Sequence, residues 1–127
     1  MNAEILLVDD NPVQAATRQA ILSLHGRIVA VAESAYRALE LLEDPEFFHS
    51  VGLIITDHYM PDLNGPQFVD LLRMRLPAIP VLVLSGLPDA EEEYAGLDVV
   101  FRAKPIPPEQ LLSLVHSFLD QPMSRTA

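Results

Sequence analysis

Apolar residues recur along the chain in two alternating rhythms. Short solid apolar runs at 5–8, 28–32, 53–57, 81–84 and 99–101 read as strands, each closed by turn residues. Between them the spacing becomes helical. Pro12 opens a helix to Leu24, capped by Asp10 or Asn11, with Val13, Ala16, Ala20, Ile21 and Leu24 on its stripe and Gly26 at its end. Ser34 caps a second helix carrying Ala35, Ala38, Leu39 and Leu42, which ends near Asp44-Pro45. A third follows Gly65-Pro66 with Phe68, Val69 and Leu72 and stops before Pro77. A short acidic helix is predicted over 88–94, and a last helix runs from Pro107 or Pro108 with Leu111, Leu112, Val115, Phe118 and Leu119 inward. Residues 47–50 read as a loop or frayed turn whose aromatics seal the bottom of the sheet.

Strand and helix alternate five times, so the strands are parallel and joined by crossover helices. The expected fold class is α/β: a three-layer, doubly wound, flavodoxin-like five-stranded sheet. Runs 5–8 and 53–57 are the most apolar and belong in the centre, which gives the order 2-1-3-4-5. One domain over 1–121 and a flexible tail over 122–127 complete the expectation.

Composition narrows the function. A formal net charge of -10 argues against nucleic acid or an anionic membrane as a direct partner, since both require a basic footprint. Without cysteine there is no disulfide, thiolate chemistry or zinc–cysteine site. The apolar runs are far shorter than the roughly 18 residues of a membrane span, and the start has no basic region, so a cytoplasmic location is expected.

In a parallel sheet of this order Asp9, Asp10 and Asp57 all fall just past the carboxyl ends of neighbouring central strands. Clustered carboxylates repel one another unless a cation joins them, and a hard divalent ion suits oxygen donors: Mg2+, or Mn2+ in its place. The Tyr59 backbone carbonyl, two residues past Asp57, is a further oxygen ligand within reach. Asp57 then reads as a carboxylate nucleophile toward phosphorus. Lys104, the one lysine in the chain, follows a strand and is placed to neutralise an added phosphoryl oxygen; Ser85 ends another strand and can turn its hydroxyl toward it. Lys104-Pro105 is a candidate cis peptide. His58 reads as a solvated loop histidine, and Phe101 either as core or as an aromatic that swings between buried and exposed positions.

Four stretches together, Ile5-Leu6-Leu7-Val8-Asp9-Asp10-Asn11, Asp57 through Gly65, Ser85-Gly86 and Phe101-Arg102-Ala103-Lys104-Pro105, resemble a receiver (response-regulator) domain of two-component phosphorelay signalling, from Glu4 to Leu119. The resemblance implies that Asp57 is the phosphoacceptor, served by a histidine kinase or a histidine phosphotransfer domain. It implies that Asp9 and Asp10 hold Mg2+ with the Tyr59 carbonyl, that Ser85 is the switch hydroxyl, Lys104 the pairing lysine and Phe101 the switch aromatic. In such families the face around the last two strand–helix units carries the output to a downstream domain or protein, often through dimerisation. Two departures stand out: Gly86 follows the switch hydroxyl, and the stretch from Ser85 to Lys104 is short. The helix between strands four and five is therefore expected to be truncated, which disfavours a standard dimer on its face.

The chain is expected not to be an enzyme beyond self-catalysed phosphotransfer and slow autodephosphorylation. A phosphatase of similar topology needs a second carboxylate two residues after its nucleophile, where Tyr59 stands. A pseudo-receiver would not need intact Asp9, Asp10, Asp57 and Lys104. A flavin protein would carry a hydroxyl- or glycine-rich loop after the first strand.

Overall fold

Strands apolar on both faces must be covered on both. In the computed structural model, which describes residues 2–120, five parallel strands form one sheet in the order β2-β1-β3-β4-β5. They are β1 (Ile5–Val8), β2 (Val29–Ala32), β3 (Leu53–Asp57), β4 (Val81–Ser85) and β5 (Val100–Ala103). Side chains alternate between the faces. Ile5, Leu7, Leu53, Ile55, Leu82 and Leu84 meet Leu22 of α1 (Pro12–Leu24) and Leu111 and Val115 of α5 (Pro108–Leu119). Leu6, Val8, Ile54, Val81 and Val83 meet the opposite layer. That layer holds α2 (Ala35–Leu41), α3 (Pro45–Ser50), α4 (Gly65–Arg75) and a 3-10 segment (Pro88–Tyr94). The tail expected over 122–127 lies outside the described residues. Among the described residues no helix is long and apolar enough to cross a membrane.

Three local expectations are corrected. Residues 45–50 are a helix: Asp44 accepts from the Glu46 amide at 3.1 Å and Pro45 opens the first turn, so the Asp-Pro pair starts α3, while α2 has already ended at Leu41. Phe47 on α3 is buried in the core, and Ser50 at the end of α3 bonds the Ala3 backbone just ahead of β1, at the amino-terminal edge of the sheet. The stripe expected on α1 is also turned, since Ala15 and Leu22 are buried while Val13 and Leu24 are exposed. Alanines and a valine spread around the helix make its apolar face ambiguous by spacing alone. The third correction concerns His58 and belongs to the site.

The expected shortening between β4 and β5 is observed, with a 3-10 segment in place of an α-helix. Its first residues have no side-chain cap, and Gly96, at φ 82°, follows its end. Arg73 of α4 then ties the connection down, donating to the carbonyls of Leu97 at 2.9 Å, Asp98 at 2.7 Å and Ile79 at 2.7 Å. Burial holds the Arg73 guanidinium pKa below its usual value, with the Asp98 carboxylate acting in the opposite direction.

Candidate functional site

Each residue reaches the site because it ends a strand or stands just past the end of one. Val8 pairs across with Thr56, so Asp9 and Asp57 emerge side by side at the carboxyl edge. Asp57 lies beside Leu84, and Ser85 beside Ala103, which brings Ser85 and Lys104 to the same rim. The Lys104 amide donates to the Ser85 carbonyl at 2.7 Å, and the Lys104-Pro105 bond is cis, as its sequence suggests.

Carboxylate oxygens of Asp9, Asp10 and Asp57 lie within 4.8 Å of one another. Asp9 and Asp57 are buried and Asp10 is exposed. Asp9 is tightly held: Oδ1 accepts from the Asn11 amide at 2.9 Å, and Oδ2 from Arg18 Nη1 at 2.9 Å. Burial raises the pKa of Asp9 above the usual carboxylate value. The Asn11 amide opposes that shift, the Asp57 charge adds to it, and Arg18 draws it back. Asp57 Oδ1 sits against the Lys104 ammonium, yet this buried oxygen has no partner of hydrogen-bond geometry. A buried carboxylate oxygen beside two more carboxylates is a donor set that suits a hard dication.

Gln14 and Arg18 were not singled out in the sequence, and both serve this rim. Gln14 Oε1 accepts from Lys104 Nζ at 3.2 Å, so α1 braces the lysine and Asp9 from positions i and i+4. The available signal was a cation on a helix stripe, since Arg18 lies between buried Ala15 and Leu22 at i+3 and i+7. Ser85 is buried; its Oγ accepts from the Leu87 amide at 2.9 Å. Tyr59 comes in the loop after β3, with the residue 74% exposed. Phe101 is buried, its ring centroid 5.9 Å from that of Tyr94.

His58 is buried rather than solvated. Its Nδ1 is hydrogen-bonded to the Tyr94 hydroxyl at 2.7 Å, while Nε2 lies 3.7 Å from Glu93. Tyr94 comes from the far end of the 3-10 segment, so no spacing near His58 announced the contact. Burial, with the Glu93 and Asp57 charges, pushes the Tyr94 phenol pKa up and keeps it protonated.

Residues 5–116 match the family described as the response regulator receiver domain. The chain belongs to that family. This receiver domain is 30% identical over 122 residues to response regulator MprA of Mycobacterium sp. strain KMS, covering 94% of this chain and 51% of MprA. It is 31% identical over 121 residues to a 14.6 kDa protein of Leptolyngbya boryana, covering 91% of this chain and 88% of that protein. It therefore spans about half the length of MprA and nearly all of the smaller relative. Among solved structures, chemotaxis protein CheY4 of Vibrio cholerae superposes with a TM-score of 0.80 at 27% identity, covering 94% of this receiver domain and 100% of CheY4.

Proposed function

We propose that this receiver domain takes a phosphoryl group onto Asp57 from the phosphohistidine of a histidine kinase or histidine phosphotransfer domain. One observation carries the reading: the buried Asp57 carboxylate faces the chain's single lysine across a pocket shared with Asp9 and Asp10. An oxygen–phosphorus bond forms at Asp57 as the donor's nitrogen–phosphorus bond breaks, and the donor nitrogen keeps the electron pair. Asp9, Asp10, Asp57 and the Tyr59 carbonyl would hold Mg2+, with Mn2+ able to replace it. When bound, the ion would supply positive charge that offsets the clustered carboxylates and the incoming phosphoryl group.

This chain's own groups do the rest. Lys104, steadied by Gln14, pairs with the incoming charge, and Ser85 turns the hydroxyl it donates to the Leu87 carbonyl toward a phosphoryl oxygen. The added phosphate carries roughly -1.5 to -2 charges, and that load biases the surface around the 3-10 segment, β5 and α5 toward an output partner. Tyr59, standing where a turnover phosphatase needs an acid, makes the domain a phosphoacceptor rather than a hydrolase of free esters.

The test is transfer of radiolabel from a histidine-phosphorylated donor to the chain in Mg2+. Transfer to the native chain and none to Asp57→Asn is expected. Label remaining on the donor, or steady multiple-turnover hydrolysis of a small phosphate ester, would refute the reading.

A further inference from the structure

Three carboxylates share the pocket, and two cations face them. Lys104 faces Asp57 and Arg18 faces Asp9, while Asp10 alone has no cationic partner among the described residues. The two pairs differ. Lys104 reaches an oxygen that has no other partner, whereas both Asp9 oxygens are already engaged, one by the Asn11 amide and one by Arg18. Arg18 is itself largely buried, at 13% side-chain exposure against 1% for Asp9, so water screens this pair weakly.

Helix geometry explains how it arrives there. α1 leaves the rim and runs away from it, so a residue at position 18 starts below the pocket. Side chains on a helix lean toward its N-terminus, and the guanidinium at the end of a long arm returns to the rim. Its place between Ala15 and Leu22 fixes it against the sheet rather than in solvent.

Resting on the phosphoacceptor reading above, we infer that Arg18 is the resident counter-ion of Asp9. It competes with the divalent cation for that carboxylate and sets the metal affinity of the pocket. A dication entering beside Asp9 meets a guanidinium already bonded to Oδ2. It must share that oxygen or displace the arginine, and either course costs affinity. In return the metal-free chain holds a buried carboxylate that is paired rather than bare. Without Arg18 the pocket would bind the ion more tightly and depend on it more for stability.

The experiment is a calorimetric titration of the full chain with MgCl2 at fixed ionic strength, for the native protein, Arg18→Gln and Arg18→Lys. Arg18→Gln is expected to bind Mg2+ about tenfold more tightly and Arg18→Lys within about twofold of native, as removal or retention of one nearby cation requires. Metal-free Arg18→Gln should melt below the native chain and recover at saturating Mg2+. Unchanged or weaker binding by Arg18→Gln, with native uptake intact, overturns this inference and leaves the phosphoacceptor reading standing. Absence of Mg2+ uptake by every form overturns both. A second measurement needs no variant: the side-chain 15N resonances of Arg18 in the native chain should shift and sharpen as Mg2+ is added. Resonances unmoved at saturation would contradict the competition even if Arg18→Gln does not fold.

Discussion

The pocket has two shoulders, and they are built on different principles. On the α1 shoulder the contacts are polar and directional. Asn11 caps the helix through Val13 and Gln14, Gln14 steadies Lys104, and Arg18 pairs with Asp9. The opposite shoulder is the 3-10 segment, which starts without a side-chain cap at Leu87. It is positioned by packing at its far end, where Tyr94 lies against His58, Phe101 and Gly65. One shoulder therefore tunes charge at the rim, and the other depends on a close aromatic contact. A segment with no side-chain cap, held by the buried Ala90 and Tyr94, is cheaper to move than a fully capped helix, which fits the proposed role of this side in responding to phosphate.

That contrast can be broken most severely at Gly65. A Cβ there would overlap the Tyr94 hydroxyl and come within 3.0 Å of the His58 carbonyl oxygen. Gly65→Ala is therefore expected to lower the unfolding free energy by about 2–3 kcal/mol in urea, the cost of overpacking a tight contact. A loss under about 0.5 kcal/mol would show that the 3-10 shoulder yields freely. Tyr94→Phe keeps the ring and removes the bond to His58, and should cost about 1–2 kcal/mol because a buried imidazole nitrogen loses its partner. It should leave Mg2+ affinity within about twofold, whereas Arg18→Gln should raise that affinity about tenfold; equal effects of both on affinity would erase the distinction.

On the α1 side, Asn11→Ala removes an acceptor shared by two amides and should cost about 1 kcal/mol by denaturant titration. The smallest effect lies far from the site. Arg27, and then His116, hold the exposed Asp120 carboxyl below the usual carboxylate range. A lowered folded value adds stability above the unfolded value of about pH 4, and that stability is lost as pH falls through the lowered one. Asp120→Asn should therefore lower the melting temperature at pH 7 and converge with the native chain as pH falls below that region, and an equal change at pH 7 and pH 3 would contradict the assignment.

The strands were legible because solid apolar runs leave little choice, and their order followed from which runs were most apolar. Lys104 and Ser85 were legible for the same reason, since a residue ending a strand has its place fixed by register. Arg18 and His58 were not, for a shared physical reason. Each is defined by a side chain reaching a partner on another element: a long arm folding back along α1 to Asp9, and an imidazole meeting a phenol 36 residues onward. Local spacing carries no record of such contacts. α3 was missed because Asp44-Pro45 signals a helix end as well as a helix start.

The central claim is a carboxylate at Asp57 that accepts phosphorus with the help of a divalent cation. Intact-protein mass after incubation with acetyl phosphate, with and without Mg2+, reads it directly. A gain of about 80 Da in Mg2+, absent in chelator and absent in Asp57→Asn, is the expected result. An unchanged mass in Mg2+, or a gain that survives in Asp57→Asn, would contradict it.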